Sequence, residues 1–147
     1  MAVIFGNREK KQNSDFEQQK QQLYSYWEKS RMITSDAVLK AFLAVPRELF
    51  VSPSNRDRSY ADHPLPIGCE QTISQPTTVM LMLQLLKVIP GQRVLEIGTG
   101  SGYNAALLAE LTGEVVTVER HLELVKIAND NLKKAGCEGV IVVKGDG

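Results

Sequence analysis

Between residues 6 and 30 the chain is polar and rich in Gln and Lys, yet Phe16, Leu23 and Trp27 recur at intervals of seven and four, which stacks them on one face of a helix. The pattern predicts an amphipathic helix lying on the rest of the domain. Ser35-Asp36 then sets a capping residue before Ala37-Val38-Leu39-Lys40-Ala41-Phe42-Leu43, and Pro46 closes this second helix because the residue before a proline is pushed out of the α region. From residue 51 to 75 the scatter of Ser, Pro, Asp, Asn and Gly gives no sustained period, so a long irregular segment is expected, of the kind that is functional or disordered in compact domains. After Pro76, which a first helical turn tolerates, Val79, Leu81, Met82, Leu83, Leu85 and Leu86 predict a buried helix ended by Pro90-Gly91. Beyond it short apolar strands at 93–97, 114–118 and 140–143 alternate with helices at 103–111 and 122–135. Strand, helix, strand, helix, strand is the mark of an α/β fold with a parallel, doubly wound sheet and right-handed crossovers. Gly113 and Gly136 fall just past the helices, where a left-handed cap is wanted.

Composition narrows the function classes. Lys+Arg and Asp+Glu are each 17, a formal net charge of zero, which argues against a strong nucleic-acid or membrane-surface binder. At 147 residues and 43% hydrophobic, the chain matches one ordinary globular domain. Its apolar runs, such as 79–86, fall far short of the ~20 residues a membrane span needs. The N-terminus has its charges after a very short apolar stretch, the wrong order for a secretion signal. Cys69 and Cys137 lack CxxC spacing, so neither a metal site nor a disulfide framework is expected, and a reduced cytoplasmic setting fits.

The richest segment is Val94-Leu95-Glu96-Ile97-Gly98-Thr99-Gly100-Ser101-Gly102-Tyr103, between the first strand of the alternation and its helix. Glycines there allow a sharp turn and close approach of a ligand to the main chain, beside the unpaired N–H groups of a helix N-terminus. A nucleoside-containing cofactor is implied. Gly100-x-Gly102-x-x-Ala105 also fits the loose dinucleotide fingerprint, so charge has to separate the candidates. Glu96, at the strand's carboxyl end, would repel a pyrophosphate and attract the sulfonium and ammonium groups of S-adenosyl-L-methionine. Glu119, ending the second strand, is placed to accept hydrogen bonds from ribose hydroxyls, a role shared by both cofactor classes. Asp146, in Lys144-Gly145-Asp146-Gly147, lies at the same edge and suits an adenine amine or, more plainly, an Asp-Gly turn. Ser74 sits at a loop-to-helix junction, where it is either the helix N-cap or a hydroxyl beside the cofactor's reactive end.

Four segments together carry a resemblance: Val45-Pro46-Arg47-Glu48-Leu49-Phe50-Val51, Tyr60-Ala61-Asp62-His63-Pro64-Leu65-Pro66-Ile67-Gly68, Thr72-Ile73-Ser74-Gln75-Pro76, and 95–103. From about residue 32 onward the chain resembles the protein-L-isoaspartate O-methyltransferase family, class I S-adenosylmethionine-dependent enzymes. The resemblance implies a Rossmann-like sheet of which only the first three parallel strands are present. It divides the chain into an N-terminal helical extension, 1–31, and the N-terminal part of a methyltransferase domain, 32–147. It further implies that Ser74 is the active-site serine, that Thr72 and Ile73 line the cofactor site already read at Glu96, Gly98, Gly100 and Gly102, and that Glu119, Asp146 and Gly147 hold the adenosine. Two departures stand out. Glu70 occupies a place where the family commonly has a second glycine, and the sequence stops where members go on to further strands, so a truncated or fragmentary member with an unpaired first strand is expected.

The implied activity is methylation of the free carboxylate of L-isoaspartyl residues in damaged proteins or peptides, with repair proceeding through a succinimide. Ser74 is then a hydrogen-bond donor that orients the carboxylate, since no His-plus-acid set stands near it, and His63 and His121 read as ordinary surface or loop residues. The alternatives are another class I methyltransferase acting on a small molecule or RNA, and a catalytically silent S-adenosylmethionine-binding fragment. A nicotinamide oxidoreductase is disfavoured by Glu96 and by the lack of a Tyr-x-x-x-Lys pair.

Overall fold

The computed structural model describes residues 2–147, with side chains at residue 12 and from residue 15 onward, and opens with helix α1 (Ala2–Ser30). Met1, where the N-terminal reading begins, lies outside the described residues. The predicted stripe is the buried one: Phe16 and Trp27 enter the core and Leu23 packs against it. The Trp27 indole N–H donates to Thr77 Oγ1 at 2.8 Å, which satisfies a donor that would be costly to bury alone. Helix α2 (Asp36–Ala44) starts at the predicted cap, where Ser35 Oγ accepts the Val38 N–H, and ends as Val45 turns extended before Pro46.

The segment 51–75 is more ordered than its composition suggests. A 3-10 helix at Pro53–Arg58 is followed by an antiparallel hairpin of β1 (Leu65–Gly68) and β2 (Gln71–Ile73). The reversal puts Gly68 at φ 103 and forces Cys69 and Glu70 into the left-handed region, at φ 50 and 57. Neither is a residue that favours that conformation, which is why the turn is invisible in the pattern. Glu70→Gly should therefore stabilise the protein by about 0.5–1 kcal/mol, the left-handed penalty less glycine's extra unfolded-state entropy. Urea unfolding checks this, and a loss of stability would mean that the Glu70 side chain itself holds the turn.

Helix α3 (Pro76–Leu86) departs from expectation on one side. Val79, Met80 and Leu83 are buried, but Met82, Leu85 and Leu86 are exposed, because the helix lies on the domain rather than inside it. It stops at Lys87 in a left-handed conformation, ahead of the Pro90-Gly91 turn. Its polar interruption, Gln84, has a structural use: Oε1 accepts the N–H groups of Thr34 at 2.6 Å and Ser35 at 3.0 Å, bracing the link between α1 and α2.

Strands β3 (Arg93–Ile97), β4 (Glu114–Glu119) and β5 (Val140–Lys144) pair in parallel in the order β3-β4-β5. They are joined by α4 (Tyr103–Thr112) and α5 (Leu122–Lys134). Both crossovers step in the same direction, so right-handedness puts α4 and α5 on one face of the sheet. There Leu107, Leu108, Leu124 and Ala128 are buried, with α2 packed on the far side of α4. On the other face Leu95, Ile97, Ile141 and Val143 are exposed among the described residues. The carboxyl ends of all three strands open onto one edge of the molecule, beside the end of the hairpin, where crevices form in such sheets. Among the described residues no helix is long and apolar enough to cross a membrane.

Candidate functional site

The glycine loop leaves β3 at Ile97 and delivers the chain to α4. Gly98, at φ 90, has nothing within 4 Å of where a Cβ would stand, so its main chain is open to a ligand. Gly102 faces the other way: at φ 94 it caps α4, and a Cβ would meet the Leu132 side chain at 3.2 Å, so packing against α5 is what requires glycine there. The loop is held from below by Val118, whose carbonyl accepts the N–H groups of Gly98 and Thr99.

Glu119 staples this loop to the next. Only 5% exposed, its carboxylate accepts the Gly100 N–H at 2.9 Å on one oxygen and the His121 N–H at 2.9 Å on the other. A carboxylate has roughly four acceptor positions, so each oxygen keeps one for a ligand.

Two cavities meet at Gly98. The smaller, about 100 Å³, is lined by Thr72, Ile73 and Ser74 from the hairpin end, Gly98 and Gly100 from the loop, and Asn104 from the first turn of α4. The larger, about 310 Å³, is lined by Gly98, Glu119, His121, Asp146 and Gly147, with Gln71 at its rim. Of the residues singled out in the sequence, Glu96 and Gly102 border neither.

Glu96 acts from behind the smaller cavity. It is half-buried, accepting the Asn104 side-chain N–H at 2.7 Å and the Thr117 hydroxyl at 2.5 Å. Burial raises its pKa above the usual carboxylate range, in spite of those two donors, which lower it. The folded state thus holds the Glu96 proton more tightly than the unfolded chain, so this group's contribution to stability is present at low pH and is lost as pH rises through its folded-state pKa. The melting temperature of the native protein, relative to Glu96→Gln, should fall as pH is raised from about 4 toward neutrality. A difference that stays constant over that range would show that the carboxylate is not perturbed.

Ser74 is not the cap of α3. The N-cap residue is Gln75, without a side-chain cap bond, and the buried Thr77 in the first turn goes to Asp62: its Oδ1 accepts the Thr77 N–H at 2.9 Å and its Oδ2 the Thr77 hydroxyl at 2.7 Å. This cap comes from a distant part of the chain, out of reach of local pattern. Ser74 itself is exposed at the wall of the smaller cavity, and no hydrogen bond among the described residues uses its hydroxyl. Its carbonyl accepts Arg47 Nη2 at 2.7 Å.

The sequence reading set His121 aside as an ordinary surface or loop residue and passed over Asn104 and Gln71, yet all three line the cavities. His121 was legible as the N-cap of α5, two residues after Glu119, and Asn104 as the polar residue in the first turn after the loop. His63, by contrast, is exposed, with Nδ1 against the Pro64 carbonyl and away from both cavities.

The family model described as Protein-L-isoaspartate(D-aspartate) O-methyltransferase (PCMT) matches residues 18–147. The protein-L-isoaspartate O-methyltransferase of Aeropyrum pernix is 54% identical over 123 residues, which cover 81% of this chain and 47% of that protein. A solved structure named protein-L-isoaspartate O-methyltransferase aligns with a TM-score of 0.74 at 38% identity, covering 87% of this chain and 42% of its own. Another, described as a "beta-aspartate methyltransferase (PCMT) from Plasmodium falciparum in complex with S-adenosyl-L-homocysteine", aligns with a TM-score of 0.74 at 25% identity, over 84% of this chain and 62% of that one. The chain spans about half the length of the curated relatives it matches.

Proposed function

Because the chain belongs to the protein-L-isoaspartate O-methyltransferase family, we propose that it serves methyl transfer from S-adenosyl-L-methionine to the free α-carboxylate of L-isoaspartyl residues in damaged proteins. The observation that carries this reading is the shared wall at Gly98. A ligand whose nucleoside fills the larger cavity, against Glu119, His121 and Asp146, must pass Gly98 to bring its reactive end to the smaller cavity and Ser74.

The residues suit that donor. Glu119 offers buried carboxylate acceptors for ribose hydroxyls, Asp146 and Gly147 line the same cavity and would take the adenine edge, and Ser101 Oγ is a buried hydroxyl without a partner among the described residues in the wall of the smaller cavity. Among the described residues no Lys or Arg lines the smaller cavity; Glu96 stands behind its Asn104 wall and the Arg47 guanidinium behind its Ser74 and Tyr103 wall. When bound, S-adenosyl-L-methionine supplies an activated methyl group.

The protein's own task is then positional. An α-carboxylate is already ionised at neutral pH, so no strong base is needed. Ser74 donates its hydroxyl hydrogen to that carboxylate and aims one oxygen along the line of transfer, while Thr72 and Ile73 close the cavity against water. Methylation turns the carboxylate into a better leaving group. The neighbouring main-chain nitrogen displaces methanol to form a succinimide, and water reopens the ring, partly to normal aspartate, outside the enzyme. Residues 32–147 would carry these roles, with 1–31 bracing them through Trp27 and Thr77. The two free cysteines, Cys69 and Cys137, accord with a reducing cytoplasmic setting.

The test is a paired acceptor assay: an isoaspartyl peptide and its aspartyl twin, each with radiolabelled S-adenosyl-L-methionine. Base-labile methyl ester on the isoaspartyl peptide alone supports the proposal. Equal labelling of both, or of neither, overturns it.

A further inference from the structure

Arg47 is wholly buried, at 0% exposure, between the hairpin segment and the sheet half of the molecule. Its Nε donates to the Ser59 carbonyl at 2.7 Å and its Nη2 to the Ser74 carbonyl at 2.7 Å, while the guanidinium carbon lies 4.7 Å from the centroid of the Tyr103 ring. Nη1 has no hydrogen-bond partner, and among the described residues no carboxylate stands within ion-pair distance of the group. A cation in such a place is expensive to desolvate, its charge met among the described residues by neutral carbonyls and an aromatic ring, and an apolar side chain of similar volume would pack there more cheaply.

Local structure does not call for it. The hairpin is held by its own strand pairing, and α3 takes its cap from Asp62. What Arg47 alone does is join three places: the turn at Ser59, the residue carrying the proposed acceptor-facing hydroxyl, and Tyr103, the first residue of α4 immediately after the glycine loop. A fork is required for this, since two of its N–H groups serve two carbonyls while its central carbon stands over the ring.

We infer that Arg47 is a positioning residue for methyl transfer: it holds the Ser74 main chain at a set distance from the glycine loop, so that the acceptor oriented by Ser74 and the donor seated on the loop stay in register. The inference rests on the proposed role of Ser74. Misplacement by about 1 Å at a reacting centre is enough to slow transfer strongly without weakening the binding of either partner.

Arg47→Lys keeps the charge and loses the fork, and the full chain carrying it is compared with the native protein and with Ser74→Ala. The expected result is a fall in kcat of about tenfold, with KM for S-adenosyl-L-methionine within about twofold, and a further loss of less than about twofold when Arg47→Lys is added to Ser74→Ala. Losses that multiply in the double variant, or an unchanged kcat, overturn the inference. Hydrogen exchange supplies an arm independent of activity: amides of residues 72–75 should exchange about tenfold faster in Arg47→Lys while those of 105–112 stay within about twofold. Unchanged exchange at 72–75 overturns the inference even if the native protein methylates isoaspartyl peptide. Conversely, a native protein that labels no isoaspartyl peptide overturns the proposed substrate and leaves the exchange arm to decide on Arg47.

Discussion

Ser74→Ala should lower kcat for an isoaspartyl peptide about a hundredfold while leaving the affinity for S-adenosyl-L-homocysteine within about twofold. The size follows from what the hydroxyl does in the proposed reaction. The carboxylate needs no activation, so rate depends on its aim, and Ser74 offers it a hydroxyl that no hydrogen bond among the described residues uses, beside Thr72 in the same wall. The structure also makes the substitution a clean one. Asp62, not Ser74, accepts the Thr77 N–H and hydroxyl at the start of α3, so the helix keeps that cap, and the Ser74 carbonyl still accepts Arg47 after the hydroxyl is gone. Loss of a true cap would cost about 1 kcal/mol and lower the melting temperature. The expected outcome is therefore an unchanged melting temperature with a collapsed kcat, measured by thermal unfolding and steady-state kinetics on the same preparation. A tenfold loss of cofactor affinity in calorimetry would instead put the hydroxyl in contact with the cofactor and refute its role on the acceptor.

The parts of this protein that can be read from one sequence are those written in short-range pattern. β3 spans Arg93–Ile97 as its apolar run predicts, and α4 and α5 end within a residue of expectation because Gly113 and Gly136 take the positive φ that closes them. β4 runs on to Glu119 because that residue still pairs with Lys144, an extension set by the neighbouring strand and not by its own chemistry. What escaped local reasoning was tertiary. The hairpin turns on Cys69 and Glu70, a pair with no turn preference, held left-handed by the strands on either side. The cap of α3 reaches back to Asp62 across the fold. The outer face of α3 carries Met82, Leu85 and Leu86, whose hydropathy says nothing of which way the helix is turned. At the site, the glycine loop and Glu119 were legible because loop length and strand ends place them. Asn104 and His121 carry a weaker signal, their places just after the loop and just after Glu119, and the structure adds which cavity each one lines.

Glu119→Gln should weaken S-adenosyl-L-homocysteine binding about a hundredfold, the scale of losing one to two charge-assisted hydrogen bonds in a buried place. The two side chains have nearly the same volume, so no void is opened. The change lies in polarity: each Glu119 oxygen accepts a main-chain N–H, from Gly100 or from His121, and glutamine must set an NH₂ against one of them. A buried donor facing a donor forces one side to let go, and either release moves a wall of the larger cavity, since the glycine loop and the head of α5 both line it. The charge that remained free to hold a ribose is lost in the same step. Asp146→Asn is the matched control. That carboxylate is exposed just past the end of β5 and among the described residues has no partner to strand, so its loss should cost less than about tenfold. Calorimetric titration of both variants separates the possibilities. Equal small losses would make Glu119 a staple for the loop and nothing more; a large loss at Glu119 with the melting temperature of the free protein lowered by only a few degrees would place the ligand's hydroxyls on the carboxylate itself, because a staple alone affects folding at least as much as binding.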